Sequence, residues 1–319
     1  MTVLRTPEAL VEAGLVAADQ LGELQAVAAR YAVAITPAMA ELTGCEGIVH
    51  RYPDRVLLTP THLCAVYCRF CFRREKVGPG RGAALSPAAL DRALAYIAGR
   101  PEIWEVIVTG GDPLVLSPRR LKALMARLAE ICHVKVVRFH TRVPAVDPEA
   151  VTAELVAALK SPAQAVWVAL HANHPDELTP AARAACARLI DAGLPMVSQT
   201  VLLRGVNDDP QVLGALMRAF VEARIKPYYL HHGDLAPGTA HLRTGLSEGQ
   251  ALMRALRGRL SGLCQPAYVL DIPGGAGKVP VGPAYLTGEG VLDPWGRSHP
   301  LPENGKGASF APQASADDY

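Results

Sequence analysis

The sequence predicts an α/β fold, a partial (β/α) barrel preceded by a helical N-terminal extension, and three observations predict it. From Arg55 onward, short runs rich in β-branched residues alternate with amphipathic segments of helical length. Several of those segments open on Ser, Thr or Asp beside Pro, a favourable helix start. The unusual polar residues gather just after the runs, at the edge where parallel α/β folds assemble their sites: Cys64, Gly110-Gly111-Asp112, His140, His171, His231 to Asp234, and Asp271.

Residues 6 to about 44 carry apolar side chains at helical spacing (Leu10, Leu15, Leu21, Leu24, Val27), so residues 1–50 are expected to form the helical extension. The strands are expected at Val56–Leu58, Val106–Thr109, Val134–Phe139, Ala165–Leu170, Met196–Leu203, Pro227–Leu230 and Tyr268–Asp271, with helices near 86–99, 117–130, 148–160, 178–192, 210–224 and 247–260. This alternation argues for parallel strands joined by right-handed crossovers, with too few units for an eight-fold barrel. The barrel is expected over residues 51–297; the tail 298–319, rich in Pro, Gly, Asn, Ser and Asp, has little to bury and is expected to be flexible.

At 319 residues and 50% hydrophobic composition, the chain has enough core material for one barrel-sized domain. Lys and Arg number 32 against 30 Asp and Glu, which gives no electrostatic case for nucleic acid or an anionic membrane as principal partner. No apolar run reaches the roughly 18 residues that span a bilayer, and the N-terminus lacks a signal-peptide arrangement. A cytoplasmic protein is expected, and the odd count of 7 cysteines agrees with reduced thiols.

The stretch Cys64-Ala-Val-Tyr-Cys68-Arg-Phe-Cys71 carries the most chemistry. Three thiolates so spaced can ligate three irons of a [4Fe–4S] cube and leave the fourth iron open to an exchangeable ligand, whereas an electron-transfer cluster takes four cysteines. A partial zinc site is the rival, but a structural zinc site commonly uses two separated pairs of ligands, and Cys45, Cys132, Cys186 and Cys264 are scattered singly. Downstream, Asp271-Ile-Pro-Gly-Gly-Ala-Gly277-Lys278-Val presents one lysine at the end of a glycine loop after an expected strand. The loop fails the Gly-Lys-Ser/Thr phosphate pattern because Val279 follows the lysine. It is either a turn with a solvated lysine or a Schiff-base lysine for pyridoxal phosphate (PLP).

Taken together, the cysteine run with Arg69, Arg73 and Arg74, the upstream His50-Arg-Tyr-Pro-Asp-Arg55, Gly110-Gly-Asp-Pro-Leu, His171-Ala-Asn-His-Pro, Gln199-Thr-Val-Leu-Leu-Arg-Gly-Val-Asn-Asp208 and the Asp271-to-Lys278 loop resemble the lysine 2,3-aminomutase family, over roughly residues 30–290 and in the family's order. The resemblance implies a barrel of the radical S-adenosylmethionine (SAM) type and a PLP-dependent isomerase that moves an amino group between adjacent carbons of an amino acid. Cys64, Cys68 and Cys71 would hold the [4Fe–4S] cluster; Gly110, Gly111 and Asp112 would receive the SAM amino group, with His171 and Gln199 near SAM. Arg51, Tyr52 and Arg55 would surround PLP on Lys278. Arg73 would pair with the substrate α-carboxylate, and Asp234 and Asp271 would hold the ε-ammonium of L-lysine, since two carboxylates favour a cationic side chain. A 5′-deoxyadenosyl radical cut from SAM would take a hydrogen from the substrate β-carbon, after which the nitrogen migrates and β-lysine forms.

The chain is shorter than the fermentative members and lacks their cysteine-rich C-terminal segment, which leaves interfacial zinc and their oligomer in doubt. It is nearer in length to compact members that make β-lysine for elongation factor P. A reducing partner such as flavodoxin or ferredoxin is implied, and a homo-oligomer is left open. Two rivals stand beside lysine: the same chemistry on another amino acid, with arginine the nearest cationic alternative, and a non-catalytic iron–sulfur protein retaining the fold.

Overall fold

The computed structural model describes residues 6–13, 17–22, 25, 45–74, 77–78, 84–273, 276–287 and 290–300. Its centre is a nine-stranded sheet in unbroken chain order. The strands are β1 (Ile48–Tyr52), β2 (Arg55–Thr61), β3 (Glu105–Gly110), β4 (Val136–Thr141), β5 (Ala165–His171), β6 (Met196–Val201), β7 (Ile225–His231), β8 (Ala267–Ile272) and β9 (Gly277–Pro280). From β2 to β8 every neighbouring pair is parallel; β1 and β9 add antiparallel edges at the two ends. A separate hairpin pairs β10 (Val291–Leu292) with β11 (Ser298–His299).

Parallel neighbours need long crossovers, and helices supply them: α2 (Pro87–Ala98), α3 (Pro118–Ala129), α4 (Val143–Val146) with α5 (Ala153–Leu159), α6 (Pro180–Asp191), α7 (Pro210–Glu222) and α8 (Leu246–Leu256). Expected helix starts hold at Ser86, Thr179 and Asp209. Ser86, Thr152 and Thr179 each accept a hydrogen bond from the backbone N–H three residues on, at 3.1, 3.2 and 3.2 Å, and Asp209 accepts two at 2.8 and 3.2 Å. Each such cap contributes about 1 kcal/mol by satisfying an orphan donor of the first turn.

The two faces of the sheet differ because side chains alternate along each strand. Val106 and Val108, Val137 and Phe139, and Val166, Val168 and Leu170 join helix residues Ile97, Leu121, Leu128, Leu189, Leu216 and Phe220 in one apolar core. Burying each large apolar side chain contributes roughly 1.5–3 kcal/mol. The register sets Arg138 beside Ile107 and Trp167, His140 beside Ala169, and His171 beside Gln199 on the opposite face. That inner face mixes these polar side chains with Ile107, Trp167 and Ala169, and it leads to the C-terminal ends of the strands.

Several expectations need correction. Ile48–His50 fall within the expected helical extension but pair with β2, because a strand neighbour overrides weak local preference. The strand expected at Val134–Phe139 is shifted to Val136–Thr141. The helix expected over 148–160 is broken: Pro148–Ala150 makes one 3-10 turn, and Thr152 restarts the chain as α5. Of the extension, α1 (Pro7–Glu12) is helical, capped by Thr6, while Leu15, Leu24 and Val27 lie outside the described residues. Ser298–His299, placed in the expected tail, form β11; 301–319 lie outside the described residues. Among the described residues no helix is long and apolar enough to cross a membrane.

Candidate active site

The sheet's two ends meet through side chains. No ladder joins β1 to β9, yet the Tyr52 hydroxyl accepts a hydrogen bond from the Lys278 backbone N–H at 2.7 Å, and the Arg51 guanidinium lies 3.3 Å from an Asp271 oxygen. Arg55 stacks over the Tyr52 ring with its guanidinium carbon 3.8 Å from the centroid. Residues more than two hundred positions apart thus form one rim. Lys278 was expected at the end of a glycine loop; there it is the second residue of a further strand, β9, opposite Asp271 in the ladder. Gly277 just before it has φ +116°, a conformation that favours glycine and lets the chain turn onto β8 beneath Tyr52.

The register fixes what Lys278 touches. Its Nζ is 2.9 Å from Asp271 Oδ2 and 3.1 Å from Nδ1 of His231, the last residue of β7, and 5.0 Å from the Tyr229 ring centroid. Burial alone would raise the Asp271 carboxyl, but hydrogen bonds and charge from His231 and Lys278 prevail and hold it well below the usual range. Asp234 moves the other way: burial pushes it up, and the negative charge of Asp271 adds to the rise. Lys278, Arg51 and Arg73 also act on Asp234, so these expected site residues share one electrostatic neighbourhood.

The three-cysteine loop follows β2. Turns close it from Cys71 N–H to the Cys68 carbonyl at 3.1 Å and from Arg74 N–H to the Cys71 carbonyl at 3.3 Å. Arg74 donates to the Pro237 carbonyl at 3.2 Å, and Arg69 approaches His241 at 3.4 Å, so the loop is tied to the segment carrying Asp234. Arg73 donates through Nη1 to the Thr109 hydroxyl at 2.9 Å and weakly to the Gly110 carbonyl at 3.4 Å. Both acceptors are neutral, and burial is the main influence on the guanidinium. A sequestered cation on neutral partners is suited to an anionic ligand.

Gly110 and Gly111 allow this loop to leave the sheet where it does. A Cβ on Gly110 would lie 2.7 Å from the Thr61 carbonyl oxygen, and one on Gly111 would lie 2.1 Å from that of Leu63. The backbone of β3 therefore closes directly on the strand that launches the cysteines. Asp112, expected at SAM, has its carboxylate engaged inside the protein, by the Leu114 N–H at 3.1 Å, the Thr141 hydroxyl at 2.7 Å and the Arg142 N–H at 2.7 Å. Its burial pushes the carboxyl up against those hydrogen bonds. What this segment leaves for a ligand is backbone rather than the Asp112 carboxylate.

The donor set fits an iron–sulfur cluster better than a single ion. Among the described residues no group of three or more His, Cys, Asp or Glu side chains is gathered tightly enough for one metal ion, whereas cluster cysteines each bind a different iron and need not converge on one point. Cys64 is pushed up to about 11, by burial first and then by Asp112, Cys71 and Cys68. Thiolates this close would need positive charge among them, which ligated iron provides.

His171 ends β5 beside Phe70 of the cysteine loop, with ring centroids 5.4 Å apart. Burial, helped by Arg142 and His231, pushes it down to about 3, so it is neutral at physiological pH. Its Nε2 and that of His140 are buried and have no hydrogen-bond partner among the described residues. Such orphaned polar atoms are costly unless a ligand meets them. Gln199 stands in register beside His171.

Four polar residues here were not singled out from sequence as site candidates. Arg142, just past β4, donates to Cys68 Sγ at 3.0 Å and pairs with Glu177, whose other oxygen accepts from the Asn173 and His174 N–H groups at 2.7 and 3.2 Å. His140 and His231 were noted only for lying after strands. The available signal was that position alone, since each is an isolated residue outside any spacing motif. Asn173 and Asn207 lie inside the quoted motifs but brace strand ends: Asn173 Oδ1 accepts from Val201 N–H, and Asn207 donates to the Asn173 and Val201 carbonyls, all at 2.9 Å.

Comparison with known proteins agrees with this architecture. Residues 58–213 match the Radical SAM superfamily model and residues 253–291 match the model for lysine-2,3-aminomutase. The L-lysine 2,3-aminomutase of Fusobacterium nucleatum is 43% identical over 240 residues, 75% of this chain and 56% of that one. An Aquifex aeolicus relative is 43% identical over 249 residues, 78% of this chain and 67% of that one. The glutamate 2,3-aminomutase of Clostridioides difficile is 39% identical over 248 residues, 78% and 58% of the two chains. In fold, a radical SAM methyltransferase from Sphaerobacter thermophilus superposes with a TM-score of 0.51 at 20% identity, covering 72% of this chain and 69% of that one. The chain spans little more than half the length of several of the curated relatives it matches. By the two family models and by identity above 40% across three quarters of its length, the chain belongs to the lysine 2,3-aminomutase family of the radical SAM superfamily.

Proposed function

We propose that this chain is a radical SAM, PLP-dependent isomerase that interconverts α-lysine and β-lysine. The observation that carries the reading is the junction of β8, β9 and β1, where Lys278, Asp271, Arg51 and Tyr52 converge beside Asp234. The residues fit PLP: Lys278 offers a primary amine, Arg51 and Arg55 offer guanidinium groups for a phosphate, and Tyr52 offers an aromatic face. With the thiols of Cys64, Cys68 and Cys71 holding a [4Fe–4S] cluster, bound SAM would supply the radical and PLP the means for nitrogen to migrate.

The chain's own residues would do the placing. Asp271 already accepts an ammonium, that of Lys278 at 2.9 Å, and so offers the kind of contact a substrate ε-ammonium requires. Asp234, raised by burial and by Asp271, would gain most from a second cation between them. Arg73 would take the α-carboxylate at the other end, held in position by Thr109. An acidic pair facing a cation selects lysine over glutamate, whose side-chain carboxylate it would repel. His171 and Gln199 would line the SAM side, with the Gly110–Gly111 backbone accepting the SAM ammonium. The apolar core behind the strands would hold these groups in fixed rotamers, and bound ligands would exclude water from the chamber.

Anaerobic reconstitution with iron, sulfide, PLP, SAM, a reductant and isotopically labelled L-lysine tests the proposal. Formation of β-lysine is the expected result, read by chromatography and mass spectrometry. SAM cleavage with lysine unchanged would refute the substrate, with arginine next to be offered. Absence of SAM cleavage in cluster-loaded protein would favour the non-catalytic reading.

A further inference from the structure

The amine of Lys278 donates to two acceptors of different kinds. Asp271 Oδ2 lies 2.9 Å from Nζ and His231 Nδ1 lies 3.1 Å from it, while His231 and Asp271 are themselves 3.7 Å apart. A lysine ammonium has three protons and no lone pair, so this geometry places an acceptor at Nδ1 and leaves the imidazole proton on Nε2. The Tyr229 ring meets His231 edge-on, with centroids 5.6 Å apart and planes at 72°, and helps fix the imidazole.

As an ammonium, Lys278 cannot attack a carbonyl; it must first lose a proton. Asp271 is poorly suited to keep that proton, because its carboxyl is held well below the usual range and stabilises the ammonium instead. His231 is the other group in reach. Burial is the largest influence and lowers its proton affinity, the charge of Lys278 lowers it further, the nearby Asp271 carboxylate raises it, and the balance is downward. Transfer from Nζ to Nδ1 removes the repulsion from Lys278, since the lysine becomes neutral as the imidazole becomes charged. The pair keeps the same total charge against Asp271 throughout, so no new charge is created in the buried site.

We propose that His231 is the proton acceptor that frees the Lys278 amine, taking a proton from Nζ onto Nδ1 as the lysine attacks a carbonyl carbon and returning it when an incoming amine displaces the lysine. This rests on the reading of Lys278 as the Schiff-base lysine. In the forward direction one Nζ–H bond breaks and one Nδ1–H bond forms. The electron pair left on nitrogen makes the new C–N bond, and the carbonyl oxygen leaves as water with the amine's two remaining protons. Besides Lys278 and Asp271, the charged and titratable groups around this imidazole are Tyr229 on its own strand, His171 on β5 and His140 on β4, with Arg51 on Asp271 and Asp234 beside the pair. Among the described residues His231, at 3.1 Å, is the histidine within hydrogen-bond reach of Lys278 Nζ, and so it is the group that exchanges with it.

The test needs neither SAM nor reductant. PLP is added to the full chain, and its capture is followed by visible absorbance from about pH 6.5 to 9.5, with borohydride trapping and peptide mass spectrometry locating the modified residue. His231→Asn keeps a hydrogen-bond acceptor near Nδ1 but has no basic site. It is expected to slow capture at neutral pH about a hundredfold and to approach the wild-type rate as the medium becomes alkaline. His231→Ala should regain part of the rate with added imidazole, a rescue that a merely structural role would not give. A wild-type rate and pH profile in His231→Asn would overturn the proposal. Lys278→Ala sets the baseline: if the wild type captures no more PLP than this variant, the reading of Lys278 itself fails, and the proposal with it.

Discussion

The two faces of the sheet are made from the same strands and obey opposite rules. Toward the helices, Val108, Phe139, Val168 and Leu170 are fully buried, and their partners are other apolar side chains. Toward the chamber, one residue away in each strand, stand Arg138, His140, His171 and His231. The outer face is complete without any ligand. The inner face leaves the Nε2 atoms of His140 and His171 buried and unpartnered among the described residues, and holds Arg73 on neutral acceptors. The difference teaches that stability and chemistry are separable here: one face holds the barrel, and the other is organised for molecules the chain has to bind.

The separation is sharpest for a pair of opposite losses. Lys278→Ala is expected to abolish PLP capture, measured by absorbance, while costing no more than about 2 kcal/mol of folding stability, since Asp271 keeps Arg51 as a partner. Cys68→Ala should instead abolish cluster assembly, read from iron content and the visible spectrum, and leave PLP capture intact. Phe139→Ala, on the outer face and fully buried, should cost about 3–5 kcal/mol in denaturant unfolding because a cavity opens in a close-packed core. If the folded fraction of Phe139→Ala lost PLP capture, or Lys278→Ala unfolded, the two faces would not be independent.

Asp271→Asn comes next in size. The change removes charge from a group that meets Lys278 at 2.9 Å and Arg51 at 3.3 Å. These pairs are partly exposed, and a substrate ammonium seated over Asp271 would desolvate it; losing one partner of such a pair should cost about 2 kcal/mol, so the KM for lysine should rise about thirtyfold while SAM affinity changes little. Unchanged lysine affinity would remove the substrate argument. Arg142→Gln probes the cluster side of the chamber. Arg142 donates to Cys68 Sγ at 3.0 Å and pairs with Glu177, and loss of such an outer contact commonly weakens metal binding tenfold or more. Iron retention on dialysis would measure it.

The outer face was also the legible one. Its β-branched runs announced β3 to β8, and Ser86, Thr179 and Asp209 announced helix starts, because those signals are local; the restart at Thr152 was missed. The closing edges were not legible. Gly277–Pro280 is four residues between glycine and proline, and it is a strand only because β8 lies beside it; Pro280 is tolerated where no further strand needs its N–H. Within the chamber, Cys64, Arg73 and Lys278 could be found because they sit in motifs. His231, His140 and Arg142 stand alone in sequence, and their proximity to Lys278, Arg73 and Cys68 exists only after folding. The motif asparagines Asn173 and Asn207 mislead in the other direction, since their amides go to the backbone.

The smallest expected effect sharpens the comparison by titration. His171 is pushed down to about 3 by burial first and then by Arg142 and His231, against about 6.5 in an unfolded chain. Below pH 6.5 the unfolded chain therefore binds a proton that the folded chain refuses, and stability falls as the pH drops toward 3. The slope approaches 1.4 kcal/mol per pH unit for this one residue, and integrated down to pH 5.5 the cost is about 1.4 kcal/mol. His171→Gln removes the titration. In cluster-free protein, the difference in unfolding free energy between variant and wild type should shift in the variant's favour by about 1.4 kcal/mol between pH 7.5 and 5.5. An apolar exchange on the outer face, such as Val168→Ile, has no proton to gain and should give a pH-independent difference. If both differences were flat, the chamber histidine would be accepting a proton in the folded state, and the inner face would be more open to water than its geometry implies.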